Sequence, residues 1–149
     1  MPTLSVNPRA KFDYEILDTY EAGIVLFGHE VKSIKAGRAN IKGSHVAIKD
    51  NEAVLINANI PPYQPKNTPS DYQSDRTRKL LLNKEEIKEL TGKTKQKGLT
   101  LTPIRVYTKK GRIKIEIGLG KGKKKFDKRE SIKKKEVKRK INRIMKYRG

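Results

Sequence analysis

The stretch KKGRIKIEIGLGKGKKK, residues 109–125, decides how this chain is read. Ile113, Ile115 and Ile117 alternate with Lys114 and Glu116, the period of a strand with one buried face. Lys109-Lys110-Gly111 has the composition of a hairpin turn, so Leu99 to Thr108 becomes the antiparallel partner. After Leu119 the alternation stops and cations gather around Gly118, Gly120 and Gly122. These glycines form either a flexible exit from the strand or a backbone clamp on nucleic-acid phosphate. They are not a Walker A loop, which needs four residues between its glycines and Ser or Thr after the Lys, where Lys124 stands.

Working outward, the same alternation marks strands at Phe12-Tyr14-Ile16, Ile24 to Phe27, His45 to Lys49, Ala53 to Ala58 and Lys79 to Leu82. Asp50-Asn51-Glu52 supplies a second hairpin turn. Asn83-Lys84-Glu85-Glu86 is a capping box that opens a helix, Thr91-Gly92 its stop, and Ile87 and Leu90 its buried face. Glu30 to Ala36 is a second helix or a further strand. Pro61 to Thr77, with Pro62, Pro65 and Pro69, reads as an exposed loop. The expectation is a mainly β chain: a small antiparallel barrel of the oligonucleotide-binding type with flanking short helices and a basic C-terminal tail.

The 149 residues carry 36 Lys plus Arg against 16 Asp plus Glu, a formal net charge of +20. Residues 121–149 hold 15 basic and 3 acidic side chains, so the cations are concentrated at the end. The expected organisation is a barrel over residues 1–120 and a tail over 121–149. In the tail Val137, Ile141, Ile144 and Met145 give a thin apolar stripe, so it is expected to be disordered when free and to fold on RNA. Leu, Ile, Val and Phe number 36, enough for one modest core. Met1 to Ala10 lacks a basic and apolar leader, and no membrane-length apolar run occurs; with no Cys, a cytoplasmic protein without disulfides is expected. Such a charge needs a polyanion, and nucleic acid leads the candidates.

Catalysis finds little support. His29 and His45 have no metal-ligand spacing around them, and Glu85, Glu86 and Glu89 read as a solvated face pairing with Lys88 and Lys93. No enzyme activity, cofactor, metal or small-molecule substrate is expected. RNA contacts are expected instead from basic residues on the barrel: Lys32, Lys35, Lys42, Arg76, Arg78, Lys79, Lys109, Lys110 and Lys114. Tyr14, Tyr63 and Tyr107 are either stacking platforms or core residues.

Four ordered motifs then narrow the choice. YEAGIVLFGHEVKSIKAGRANI (Tyr20 to Ile41), RTRKLLLNKEEI (Arg76 to Ile87), IEIGLGKGKKKFDKRE (Ile115 to Glu130) and RIMK (Arg143 to Lys146) resemble the small protein B family, the SsrA-binding proteins of bacterial trans-translation. The resemblance covers about Asn7 to Arg148. It implies a closed barrel and a monomeric, non-catalytic partner of transfer-messenger RNA (tmRNA), carried to stalled 70S ribosomes. It further implies that Asn7, Glu21, Leu81, Asn83 and Lys114 meet the tRNA-like domain. Their ordinary readings are a turn residue for Glu21, a core leucine for Leu81 and a helix cap for Asn83. Lys121, Lys123, Lys124, Phe126, Asp127, Lys128, Arg129, Ile144 and Met145 would act in the tail, against small-subunit rRNA in the decoding site and message channel. A general RNA-binding ribosomal protein or RNA chaperone is the alternative.

Overall fold

The computed structural model describes residues 2–96 and 98–123. In chain order these form β1 (Thr3–Val6), α1 (Ala10–Asp13), β2 (Tyr14–Ile24), α2 (Gly28–Lys35), β3 (His45–Lys49), β4 (Glu52–Ile56), a 3-10 turn at Pro65–Asn67, β5 (Arg78–Leu81), α3 (Lys84–Thr94), β6 (Leu99–Lys109) and β7 (Arg112–Gly122). The mainly β expectation holds. Both hairpins turn where the composition placed them. Asp50 and Asn51 have φ of 51° and 62°, and Lys110 and Gly111 have 52° and 76°, the left-handed pair of a two-residue turn that matches strand twist.

The expected closed barrel is corrected. The antiparallel ladder runs β1-β6-β7-β2-β5-β4-β3 and remains open, because its two ends do not pair. β3 does come back beside β6. However, β1 takes the end of the β6 edge, with Thr3 opposite Tyr107 and Val6 opposite Arg105, and β3 forms no ladder with β6. The concave side is filled by Ala22, Val46, Leu55, Leu80, Ile115 and Ile117 and plugged by Ile34 of α2 and Leu90 of α3.

Several element boundaries also differ. Phe12 belongs to α1, and residues 14–24 form one strand where alternation had shown only two fragments. A bulge between Ile16 and Asp18 breaks the alternation there, and the ladder with β7 carries the strand across it. Val25 to Phe27 leaves the sheet to start α2, because Glu30 reaches back to accept the Phe27 N–H at 2.8 Å. The capping box of α3 forms as read, with Asn83 Oδ1 accepting from the Glu86 N–H at 2.7 Å. That helix does not stop at Thr91-Gly92. Leu90 is pinned in the core, Thr94 Oγ1 donates to the Leu90 carbonyl, and the chain reverses later at Gly98, where φ is +85°.

Candidate nucleic-acid interface

The strand register brings Leu81 and Lys114 into one transverse row and puts Glu21, opposite Glu116, next to it. Gly23 of β2 stands opposite Leu81 of β5 on one side and Lys114 of β7 on the other; Lys114 in turn stands opposite Tyr107 of β6. Leu81 is not a core leucine: it is 54% exposed and lies over Gly23, where an added Cβ would sit 3.4 Å from the Leu81 Cβ. Glu21 is not a turn residue either. It is in mid-strand, two residues before Gly23, on the exposed side.

Glu21 is fixed by its neighbours. The Tyr107 hydroxyl donates to Glu21 Oε2 through a short hydrogen bond, and Lys109 Nζ lies 3.4 Å from both carboxylate oxygens. These partners, with the nearby Lys114 charge, hold the Glu21 carboxyl below its ordinary range; burial and the same bond push the Tyr107 phenol up. Tyr107 is therefore a buried anchor, not a free stacking platform: it is only 3% exposed, and the Arg105 guanidinium lies 4.3 Å from its ring centre. Arg105 also reaches Glu116 at 3.4 Å and Thr3 at 3.1 Å. The result is an oriented, ionised carboxylate beside two Lys ammonium groups and an exposed leucine. A carboxylate there accepts from ribose 2′-hydroxyls or base amines, the ammonium groups take phosphate, and the leucine meets a base or ribose face.

The other expected residues scatter around this row. Lys79 is exposed on the same side of β5 and pairs with Glu52 at 3.2 Å; Asn83, two positions after Leu81, caps α3. Lys32 and Lys35 are both exposed on α2. Asn7 is away from the row. It is buried in a cleft with Arg9, Lys42 and His45, where its side chain donates to the Pro103 carbonyl at 3.0 Å. Tyr14 packs over Gly120, and Tyr63 carries Arg38, whose Nη1 donates to the Tyr63 carbonyl at 3.0 Å. For Gly118 and Gly120 the exit and clamp readings are corrected: both are strand residues, and a Cβ would meet Ile104 Cδ1 at 2.9 Å in the first and Tyr14 Cβ at 2.8 Å in the second, whereas Gly122 ends β7 with open space around it. The folded body reaches Lys123, whose N–H donates to the Asp13 carbonyl at 2.9 Å, and Lys121 is exposed near the end of β7. Lys124, Phe126, Asp127, Lys128, Arg129, Ile144 and Met145 lie outside the described residues.

Arg78 is corrected most sharply. Its side chain is wholly buried, so it does not present itself to RNA here. Arg78 Nε and Nη2 donate to Glu30 Oε2 at 2.9 and 2.7 Å, and its remaining donors go to the Ala58, Ser74 and Arg76 carbonyls. Arg76 also donates through Nε and Nη2 to Glu30. Burial pushes Glu30 up, yet the Arg76, Phe27 N–H and Arg78 hydrogen bonds outweigh it and hold the carboxyl at about 2. Tyr72 completes the network, its hydroxyl donating to the Ile60 carbonyl at 2.7 Å and lying 3.0 Å from Glu30 Oε2. The supposed loop of residues 61–77 is thus tied down from within. Sequence reasoning missed Glu30, because nothing local shows that a first-turn acid meets arginines more than forty positions away. Among the described residues, no group of three His, Cys, Asp or Glu is placed to hold a metal, and no helix is long and apolar enough to cross a membrane.

Residues 4–147 match the family described as SmpB protein. The chain belongs to the SmpB protein family. It is 49% identical over 145 residues to the SsrA-binding protein of Thermosynechococcus vestitus, covering 97% of this chain and 95% of that one. The SsrA-binding proteins of a Sulfurihydrogenibium species and of Enterococcus faecalis are 51% and 50% identical over 143 residues, each covering 96% of this chain and 93% and 92% of theirs. A solved SmpB chain, from the structure described as "tmRNA-SmpB: a journey to the center of the bacterial ribosome", superposes with a TM-score of 0.66 at 48% identity, covering 80% of this chain and 84% of that one.

Proposed function

We propose that this chain binds the tRNA-like domain of tmRNA and delivers it to stalled 70S ribosomes, where the nascent peptide is tagged and the ribosome released. Membership of the SmpB family supports the reading, as does the likeness to a chain solved with tmRNA and the ribosome. The observation that carries it is the Glu21 carboxylate, fixed by Tyr107 and Lys109 beside Lys114 and Leu81. A purely electrostatic RNA binder gains nothing from an anion oriented by a buried phenol, whereas selective recognition of ribose and base edges does. Asn83, Lys79, Lys32 and Arg76 would extend this contact surface, with Arg78 holding it from within and Asn7 acting from its separate cleft.

In this reading residues 1–120 recognise tmRNA and residues 121–149 act on the ribosome. The excess of cations in the second segment suits rRNA phosphate. Lys121, Lys123, Lys124, Phe126 and Asp127-Lys128-Arg129, with Ile144 and Met145, would take the place of message and anticodon in the decoding site, the segment becoming helical once bound. The protein works in the cytoplasm as a monomeric adaptor and performs no chemistry. A purified translation system programmed with a message lacking a stop codon tests the proposal. With tmRNA present, adding this protein should append the tmRNA-encoded tag to the stalled peptide, and omitting it should leave the peptide untagged. Equal tagging with and without the protein would refute the proposal.

A further inference from the structure

Beyond the Glu21 row, exposed residues continue the alternation of Glu21 and Gly23 through Val25 to Phe27, which is 52% exposed. Val25 is held beside β5, its N–H donating to the Lys79 carbonyl at 2.9 Å. This path ends at a cavity of about 500 Å³ lined by Phe27, His29, Pro69, Asp71, Tyr72 and Arg76, together with Gln73. We infer that this cavity receives a single unstacked RNA base, with Phe27 as its stacking platform. The inference rests on the RNA-binding reading above.

The cavity is aromatic on three sides. Phe27 and His29 have ring centres 5.7 Å apart, and Tyr72 meets His29 edge-on at 4.6 Å. Arg76 is stacked 4.1 Å from the Phe27 ring centre. A planar base beside an aromatic ring and a guanidinium plane is how unpaired nucleotides are held. The walls are also rigid, because Arg76, Tyr72 and the Phe27 N–H all converge on the buried Glu30. That network fixes the cavity before any ligand arrives, which lowers the entropic cost of binding.

The polar groups choose between occupants. Asp71 on the rim disfavours a bare phosphate. His29 Nδ1 is shielded from water without a hydrogen-bond partner, the one such side-chain atom among the described residues. The Arg76 guanidinium and the Asp71 carboxylate in the lining offer a donor and an acceptor, which suits a heterocycle with polar edge atoms better than a hydrocarbon side chain. A chain of net charge +20 further draws RNA, rather than a basic or neutral peptide, to this face.

The sequence contains no Trp, so full-length Phe27→Trp carries a single indole reporter. It is titrated with the tRNA-like domain transcript, single-stranded oligoadenylate, 70S ribosomes and the rRNA extracted from them. Quenching should saturate where gel shift shows the complex with at least one RNA, and Phe27→Ala should weaken binding of that RNA about tenfold. Unquenched indole in every complex that gel shift detects, or Phe27→Ala binding as wild type, would overturn the inference. Quenching by 70S ribosomes that extracted rRNA does not reproduce would give the cavity to a protein, and overturns it equally. Loss of preference for the tRNA-like domain with quenching by oligoadenylate intact would sink the tmRNA reading and keep the base pocket.

Discussion

Glu21 puts a negative charge on the working face of a strongly basic protein, and its neighbours keep it there. Tyr107, Lys109 and Lys114 each favour the ionised form, so at neutral pH the site presents an acceptor of fixed direction. Glu21→Gln should therefore weaken binding of the tRNA-like domain about tenfold while leaving elongator tRNA binding unchanged or tighter, measured by gel shift. Glu30 is the structural counterpart. Glu30→Gln leaves the buried Arg78 charge without its partner and should cost about 3–5 kcal/mol in urea denaturation. The folded carboxyl sits near 2, below its ordinary value, so the stability it contributes is full above the unfolded value near 4.5 and is lost as pH falls toward 2. Melting temperatures of wild type and Glu30→Gln should accordingly converge on acidification from pH 7 toward 2. The two carboxylates differ in how far the sequence revealed them. Glu21 stood out only through resemblance, since composition would not select an acid for an RNA face. Glu30 left no local trace, because its meaning lies in arginines brought to it by the β5 pairing.

Among the elements, β7 was legible and β2 was not. Ile113, Ile115 and Ile117 mark the buried side of β7 by strict alternation, and all three are buried. β2 hid behind its bulge and behind Asp18-Thr19-Tyr20-Glu21, whose polar residues carry no period. The glycines of β7 show a second limit. Composition suggested a loop near a phosphate, but Gly118 and Gly120 are bare because Ile104, Ile16 and Tyr14 cross the sheet over them. Gly118→Ala and Gly120→Ala should each destabilise the fold by about 1–3 kcal/mol, read from denaturant midpoints, because the added methyl displaces packed side chains. A phosphate-clamp role would instead have reduced RNA binding with stability intact. The α3 cap was readable from four consecutive residues, and the helix end was not, because the burial of Leu90 overrides the local stop signal.

For the whole molecule, an open seven-stranded sheet presents Glu21, Leu81 and Lys114 on one side while the other side is covered by the core. The family resemblance implied closure, whereas the ladder ends at β1 on one side and β3 on the other without the two ends pairing. Charge distribution, by contrast, was plain from the sequence. It separates a body with a patterned, mixed-sign face from a segment of nearly unbroken cations, and it implies that preference and raw affinity have different sources. Preference should belong to the oriented groups of the sheet and affinity to phosphate neutralisation, which alone weakens steeply with salt. The most direct test is a gel-shift competition between the tRNA-like domain of tmRNA and elongator tRNA at two salt concentrations, with the full-length protein and its Glu21→Gln variant. The wild type should prefer the tRNA-like domain by a ratio that survives the higher salt, and the variant should lose that ratio while still binding both RNAs. A preference that disappears with salt, or that Glu21→Gln leaves unchanged, would contradict recognition by this face.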